Sequence, residues 1–264
     1  MLGMLTGLWR YRGFILSSIR NEFITRFSRS RLGGLWMIIH PLAQVAIYAL
    51  ILSNILAAKL PGIDNKYAYA LYLMAGSLAW TLFSEIISRF LSLFIDQGNL
   101  MKKISFPRIT LPVIVVGSCL LNNALLFVAI LIVFALLGQS PNLQMLWLVP
   151  LTLSVVAIAV GLGLILGVLN VFVRDIGQVV PIVLQIWFWF TPIVYPVSII
   201  PDYLKGTLEY NPMFSIVSAY HSVMVYKESP DLHQVLITLA IAVALMLLGL
   251  FMFRRAVPEM VDSL

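Results

Sequence analysis

The residues able to do chemistry set the first limits. The three histidines, His40, His221 and His233, fall in different segments, and no HExxH motif is present. The single cysteine, Cys119, lies in an apolar run, so packing is its expected role, and an intrachain disulfide or Cys-based zinc site is excluded. No lysine follows a glycine, so the GxxxxGK[ST] phosphate cradle of a P-loop ATPase is missing. No catalytic residue and no metal ligand is expected. What remains is a small set of polar residues inside apolar runs. Glu85 and Arg89 stand four apart, share a helix face and can pair; a structural or snorkelling pair is expected there. Arg174 and Asp175 are adjacent at a turn and read the same way. Asn122, Asn123 and Gln185 are expected to hydrogen-bond between helices. No relay of Asp, Glu or His crosses the apolar runs, which argues against proton-coupled transport.

The elements that position these residues follow from composition. The 264 residues are 61% hydrophobic and 11% charged, with mean hydropathy +0.99. Soluble domains carry roughly 25% charge, so an ordinary cytosolic enzyme, a disordered chain and a nucleic-acid binder are excluded. A helix crossing the bilayer needs about 20 apolar residues. Six segments meet that length: residues 35–57, 67–90, 109–137, 146–173, 179–200 and 235–253. Alternating strand segments of an outer-membrane barrel are absent. The expected fold is an all-α integral membrane protein with six transmembrane helices. An interfacial N-terminal segment (residues 1–34) precedes a single transmembrane domain (residues 35–264).

The net charge of +6 comes from 17 Lys and Arg against 11 Asp and Glu. Arg10, Arg12, Arg20, Arg26, Arg29, Arg31, Arg89, Lys102, Lys103, Arg108, Arg174, Arg254 and Arg255 fall on one side of the expected topology. Lys59, Lys66, Lys205 and Lys227 fall on the other. The positive-inside rule then places both termini in the cytoplasm. The N-terminal segment lacks an uninterrupted apolar stretch and a cleavage site, so a signal peptide is not expected. Leu5, Leu8, Trp9, Ile15, Leu16 and Ile19 share roughly one helical face, interrupted by Arg12. An amphipathic helix in the membrane interface fits; a solvated basic arm is the alternative.

Two connections are informative. Residues 96–112 contain Lys102, Lys103, Phe106, Pro107 and Arg108, long enough for a short helix outside the bilayer. Topology anchoring and docking of a soluble partner both fit. Residues 195–227 hold Pro196, Pro201, Gly206 and Pro212 around an apolar stretch too short to span. Short re-entrant helices over about 201–227 are expected, with a gate at that end, against a plain surface loop. Aromatics crowd the second and fifth spans: Tyr69, Tyr72, Trp80 and Phe83, then Trp187, Trp189, Phe190 and Tyr195. An interfacial belt explains some of them, and an aromatic pore wall suited to sugar rings is the other reading. With no phosphate cradle and no acidic relay, uphill transport would need a separate ATPase. Six helices are few for a wide pore, which points to two copies related by a two-fold axis.

Several stretches carry a family resemblance. Residues 26–56 read RFSRSRLGGLWMIIHPLAQVAIYALILSNIL, residues 102–112 KKISFPRITLP and residues 171–181 VFVRDIGQVVP. Residues 190–201 read FTPIVYPVSIIP and residues 210–213 YNPM. Together, in this order, they resemble the type-2 ABC exporter permeases that move polysaccharides, above all the Wzm-like O-antigen permeases. The resemblance implies a second copy of the chain and two cytoplasmic ABC ATPase subunits, which hold the ATP and magnesium; the chain itself carries no cofactor. It implies docking of the ATPases at the N-terminal helix and at Asn99, Leu100, Met101, Lys102, Lys103, Phe106 and Arg108, with Arg174 and Asp175 alongside. The implied substrate is a glycan on a polyprenyl-diphosphate lipid, moved from the cytoplasm to the periplasm across the bacterial inner membrane. Tyr48, Tyr69, Tyr72, Trp80, Phe83, Trp187, Trp189, Phe190 and Tyr195 become candidate channel wall. Capsule and teichoic-acid permeases are relatives of this group. A type-2 drug or lipid exporter is disfavoured because the chain has room for neither a large external domain nor a fused ATPase. A membrane-embedded transferase would need converging Asp, Glu or His. An assembly subunit is a further alternative.

Overall fold

The computed structural model describes residues 7–27, 68–103, 107–136, 142–208 and 210–263, together with isolated positions between 32 and 47. The α-helices among the described residues are α1 (Arg12–Phe27), α2 (Ala68–Asp96), α3 (Gly98–Lys103), α4 (Thr110–Leu136), α5 (Leu148–Phe172), α6 (Ile176–Trp189), α7 (Asp202–Leu208), α8 (Pro212–His221) and α9 (Leu232–Ser263). Four stretches are long and apolar enough to cross a membrane: Ala68–Asp96, Thr110–Leu136, Leu143–Phe172 and Leu232–Met260. These correspond to the second, third, fourth and sixth expected spans. The first, residues 35–57, lies almost wholly outside the described residues.

The fifth differs from expectation. Its helix stops at Trp189, whereas the apolar run continues to residue 200. At 14 residues it is about 21 Å long, short of the roughly 30 Å hydrocarbon layer. Pro192 lacks a backbone donor and disfavours helical geometry at Thr191. The chain therefore turns after Phe190, and apolar composition alone could not reveal the stop.

Helices α2 and α5 form the centre. Phe83, Ile86, Phe90 and Phe94 of α2 are fully buried, as are Val155, Ile158 and Leu164 of α5. By contrast α9 turns Leu236, Ile237, Leu247, Leu248 and Phe251 outward, an apolar exterior suited to lipid rather than water. Helices in lipid gain little from the hydrophobic effect and rely on close packing across small residues. Gly161 of α5 meets α9 in this way: a Cβ there would lie 2.5 Å from the Leu245 backbone, and one on Gly249 would lie 2.5 Å from the Gly161 carbonyl oxygen. On the neighbouring face, a Cβ at Gly167 would run into the Phe90 carbonyl of α2.

Contacts at the helix ends group the elements. The ends of α2, α5 and α9 and the start of α4 share one end of the bundle with α3: Asn170 Nδ2 donates to the Leu91 carbonyl at 2.7 Å, and an Arg108 nitrogen to the Val257 carbonyl at 3.4 Å. The start of α2 lies at the opposite end, beside α8 and the turn after α6.

The glycine contact yields a prediction. Gly161→Val should lower thermal stability in detergent by about 1–3 kcal/mol or more, the cost of overpacking. Gly13→Ala, where a Cβ meets nothing within 4 Å, should stay within about 1 kcal/mol of the parent. Equal melting of Gly161→Val and the parent would contradict the α5–α9 contact.

Candidate functional site

At the α3 end, a polar cluster joins three helices. Arg89 of α2 pairs with Glu22 of α1 and stands 3.9 Å from Glu85 one turn back on its own helix. The second Glu22 oxygen accepts from Ser118 Oγ of α4 at 2.8 Å. Glu85 accepts from Asn122 Nδ2 at 2.8 Å. Arg89 also donates to Cys119 Sγ at 3.7 Å. The expected Glu85–Arg89 pair is therefore present, but the shorter contact is with the N-terminal helix. Glu22 is the only acid among the first 34 residues. That isolation, together with a lone arginine set inside an apolar run, is a signal the sequence carries. Ile19 packs where Gly117 of α4 leaves no side chain, so α1 lies against the bundle.

The connection residues sit near this cluster. Met101 of α3 is buried, Leu100 half-buried and Lys102 exposed, an anchored helix with a basic outer face. Asn99 and Lys103 belong to the same helix; Phe106 lies outside the described residues. Arg108 is half-buried, and Arg174 and Asp175 are exposed at the α5–α6 turn. That turn is held by Asn170, whose Oδ1 accepts from the Gly177 backbone at 2.7 Å. Nothing in the sequence marks Asn170 out, because one Asn near the end of an apolar helix carries no distinctive spacing.

At the α8 end, side chains of α2 capture the turn after α6. Tyr69 donates to the Val194 carbonyl. Tyr72 donates to the Pro192 and Tyr195 carbonyls at 3.2 and 3.3 Å. The buried His221 ring stacks on Tyr72 with centroids 3.5 Å apart and bonds the Tyr72 carbonyl at 3.1 Å. Asn211 caps α8 by accepting from Met213 N at 3.0 Å, with Pro212 as the first helical residue. Its Oδ1 also accepts from Trp187 Nε1 at 2.9 Å, and its Nδ2 donates to Thr191 Oγ1 at 3.1 Å. Tyr220 and Thr152 join α8 to α5 at 2.7 Å. The region therefore holds short helices, α7 and α8, and a π-turn over Ser222–Tyr226. Burial raises the affinity of the Tyr226 hydroxyl for its proton, with Glu228 adding to the effect, so it stays neutral at physiological pH.

The aromatic candidates separate into two groups. Tyr69, Tyr72, Trp80 and Phe83 are buried inside the chain. Trp187 packs edge-on against Phe83 at 5.1 Å and Trp80 at 6.4 Å. Tyr195 is half-buried, and its hydroxyl donates to the Trp189 carbonyl at 2.5 Å. Trp189 and Phe190 face outward, 51% and 63% exposed. Tyr48 lies outside the described residues. Asn123 Nδ2 bonds the Leu78 carbonyl at 2.9 Å, an inter-helix bond of the expected kind, while Gln185 is exposed on α6. Among the described residues, no three His, Cys, Asp or Glu converge as a metal site would require.

Comparison with known proteins places this arrangement. The sequence pattern of the ABC-2 type transporter family matches residues 14–225. Over the full length of both chains, the protein is 27% identical to an O-antigen export system permease protein of Myxococcus xanthus. It is 30% identical to one of Klebsiella pneumoniae, over 74% of this chain and 73% of the other. It is 27% identical to a polysialic acid transport protein of Escherichia coli, over 74% of this chain and 75% of that one.

The three-helix cluster is open to a double-mutant cycle. Glu22→Gln and Arg89→Met should each destabilise the protein in detergent, and the double variant should lose less than their sum. A coupling of about 1.5 kcal/mol is expected, the low end for hydrogen bonds to charged groups, since both side chains are partly exposed. Additive losses would break the proposed tie between α1 and α2.

Proposed function

The chain belongs to the ABC-2 type transporter family, and from that premise we propose that it is the permease subunit of an ATP-driven polysaccharide exporter, with a lipid-linked O-antigen as its cargo. The observation that carries this reading is the end-to-end match to an O-antigen export permease by an apolar helical chain with no phosphate-binding loop of its own. The match to a polysialic acid transporter favours a capsule-type polymer as the second reading.

In this reading the chain crosses the bacterial inner membrane six times, with the stretch over residues 35–57 as the first span and α6 with its following turn as the fifth. The α3 end carries Lys102, Lys103, Arg108, Arg174, Arg254 and Arg255, and faces the cytoplasm by the positive-inside rule. Two copies enclose the path, and two separate ATPases, holding ATP and magnesium, engage α1, α3 and the α5–α6 turn. The exposed face of α6 supports the two-copy arrangement: Val179, Ile182, Val183 and Ile186 stand outward on a helix too short to face lipid along its whole depth. Trp189 and Phe190 are then the aromatic surface available to passing sugars.

Reconstitution with a cognate ABC ATPase subunit and a lipid-linked glycan tests the proposal. ATP-dependent appearance of glycan on the far side is expected; equal movement by the chain alone, without nucleotide or partner, would overturn it. Lys102→Glu and Lys103→Glu combined with Phe106→Ala should lower ATPase coupling by more than about tenfold, since like charges facing each other across an interface cost several kcal/mol. Unchanged coupling would remove α3 from the docking surface. Trp189→Ala should slow export while melting is unchanged. Phe83→Ala should instead lower stability by about 3–5 kcal/mol, as a buried ring does. A Trp189 variant exporting at the parent rate would take that ring out of the path.

A further inference from the structure

A cavity of about 440 Å³ opens between α1, α2, α3 and α4 at the α3 end. It falls within the roughly 300–1,000 Å³ of small-ligand sites. It is separate from the Trp189–Phe190 surface and from the outer face of α3. Its lining has two characters. Phe14 of α1 and Leu111, Ile114 and Val115 of α4 make an apolar wall. Opposite them, the last turns of α2 contribute Ser92 and Asp96, both exposed and one turn apart, with Gln97 beyond. The inner end is closed by the Glu22–Arg89 pair.

A water-soluble ligand would leave the apolar wall unused, and an apolar one would cover the exposed Asp96 carboxylate without meeting its charge, at high cost. A lipid satisfies both halves. The cavity also lies at the level the proposed topology gives to the cytoplasmic headgroups. Charge then selects among lipids. Two carboxylates, Glu22 and Asp96, line the cavity against one guanidinium, and Arg89 is already engaged by Glu22 and Glu85. The local field therefore favours a cation and disfavours a headgroup that brings only phosphate. The same sign disfavours a polyprenyl diphosphate, so this is not a cargo site.

We propose that the cavity binds a phospholipid whose headgroup carries a primary amine. The ammonium donates to the Asp96 carboxylate at the mouth, the phosphate accepts from the Ser92 hydroxyl and the Gln97 amide, and the upper acyl carbons lie along Leu111, Ile114 and Val115. The inference rests on the membrane placement given above, not on what is exported. Lipid retention and transport can therefore fail independently.

The test uses the purified, delipidated full chain in detergent. It is offered equimolar phosphatidylethanolamine, phosphatidylcholine and phosphatidylglycerol with the same acyl chains, and retained lipid is counted by native mass spectrometry. Phosphatidylethanolamine should be retained about tenfold over the other two, the ratio expected from a hydrogen bond to a charged group. Asp96→Asn should bring it down to the phosphatidylcholine level, and Ser92→Trp, which fills the mouth, should abolish its retention. Asp96 is exposed, so its variant leaves the core untouched and carries the test even if Ser92→Trp disturbs packing. Equal retention of phosphatidylglycerol or phosphatidylcholine by the parent chain would overturn the proposal. So would undiminished phosphatidylethanolamine retention by Asp96→Asn.

Discussion

Arg89 cannot be left unpaired among apolar helices, and much of the α3 end is arranged around that constraint. A charge within an apolar span is costly, less so toward its end, and Arg89, about a quarter exposed, stands in the last part of α2 with carboxylates close by. Glu22 arrives from α1, Glu85 from α2 itself, and Ser118 and Asn122 from α4 satisfy the remaining carboxylate oxygens. Satisfying one guanidinium therefore fixes the mutual positions of three helices, including α1, which is not among the membrane-length helices. A displacement of α1 is carried directly into α2.

The same economy recurs at the other joints, in a form lipid favours. Asn170 reaches the Leu91 carbonyl, Asn123 the Leu78 carbonyl, and Tyr69 and Tyr72 the carbonyls of the turn after α6. Each bond satisfies a side-chain donor and a backbone acceptor that water cannot reach. Between these joints the helices touch through glycine, as Gly161 and Gly249 do. Polar pins at the ends and close backbone contact in the middle allow whole helices to move as rigid pieces.

Much of this was legible in the sequence, and the reasons for the remainder are physical. Length and apolarity set both ends of α4 and α5 and the starts of α2 and α9 within a few residues, because a lipid-crossing helix has one dominant requirement; α2 and α9 run on to Asp96 and Ser263 rather than residues 90 and 253, since a helix can continue past the apolar stretch. The proline-rich stretch after α6 was legible as broken structure, and Asn211 before Pro212 is a cap by residue type alone. The end of α6 was not legible, since residues 190–200 stay apolar while hydrogen bonds from α2, distant in sequence, hold the turn. Aromatic content was equally ambiguous: Trp80, Phe83 and Trp187 spend their faces on one another, and composition cannot distinguish a ring packed inward from one facing a path. The partner of Arg89 lay 67 residues away, beyond any helical spacing rule.

Helix α6 brings these threads together. Its first turn is pinned by Asn170 through Gly177, and Trp187 near its last turn by Asn211. Between the pins only Val180 and Leu184 are buried, so the helix is held by its ends and offers its face outward. A lipid-facing helix of about 21 Å would leave its terminal backbone groups and the exposed Gln185 amide in hydrocarbon, which the bilayer does not tolerate. Protein or a wet path must cover that face. The second copy proposed above, with one α6 opposite the other across a two-fold axis, would do both: it would bury the apolar stripe of Val179, Ile182 and Ile186 and leave Gln185 a polar surface to meet. Asn211 Nδ2 also reaches the Phe190 carbonyl at 3.4 Å, so the far pin ties the end of α6, where Trp189 and Phe190 stand, to the start of α8.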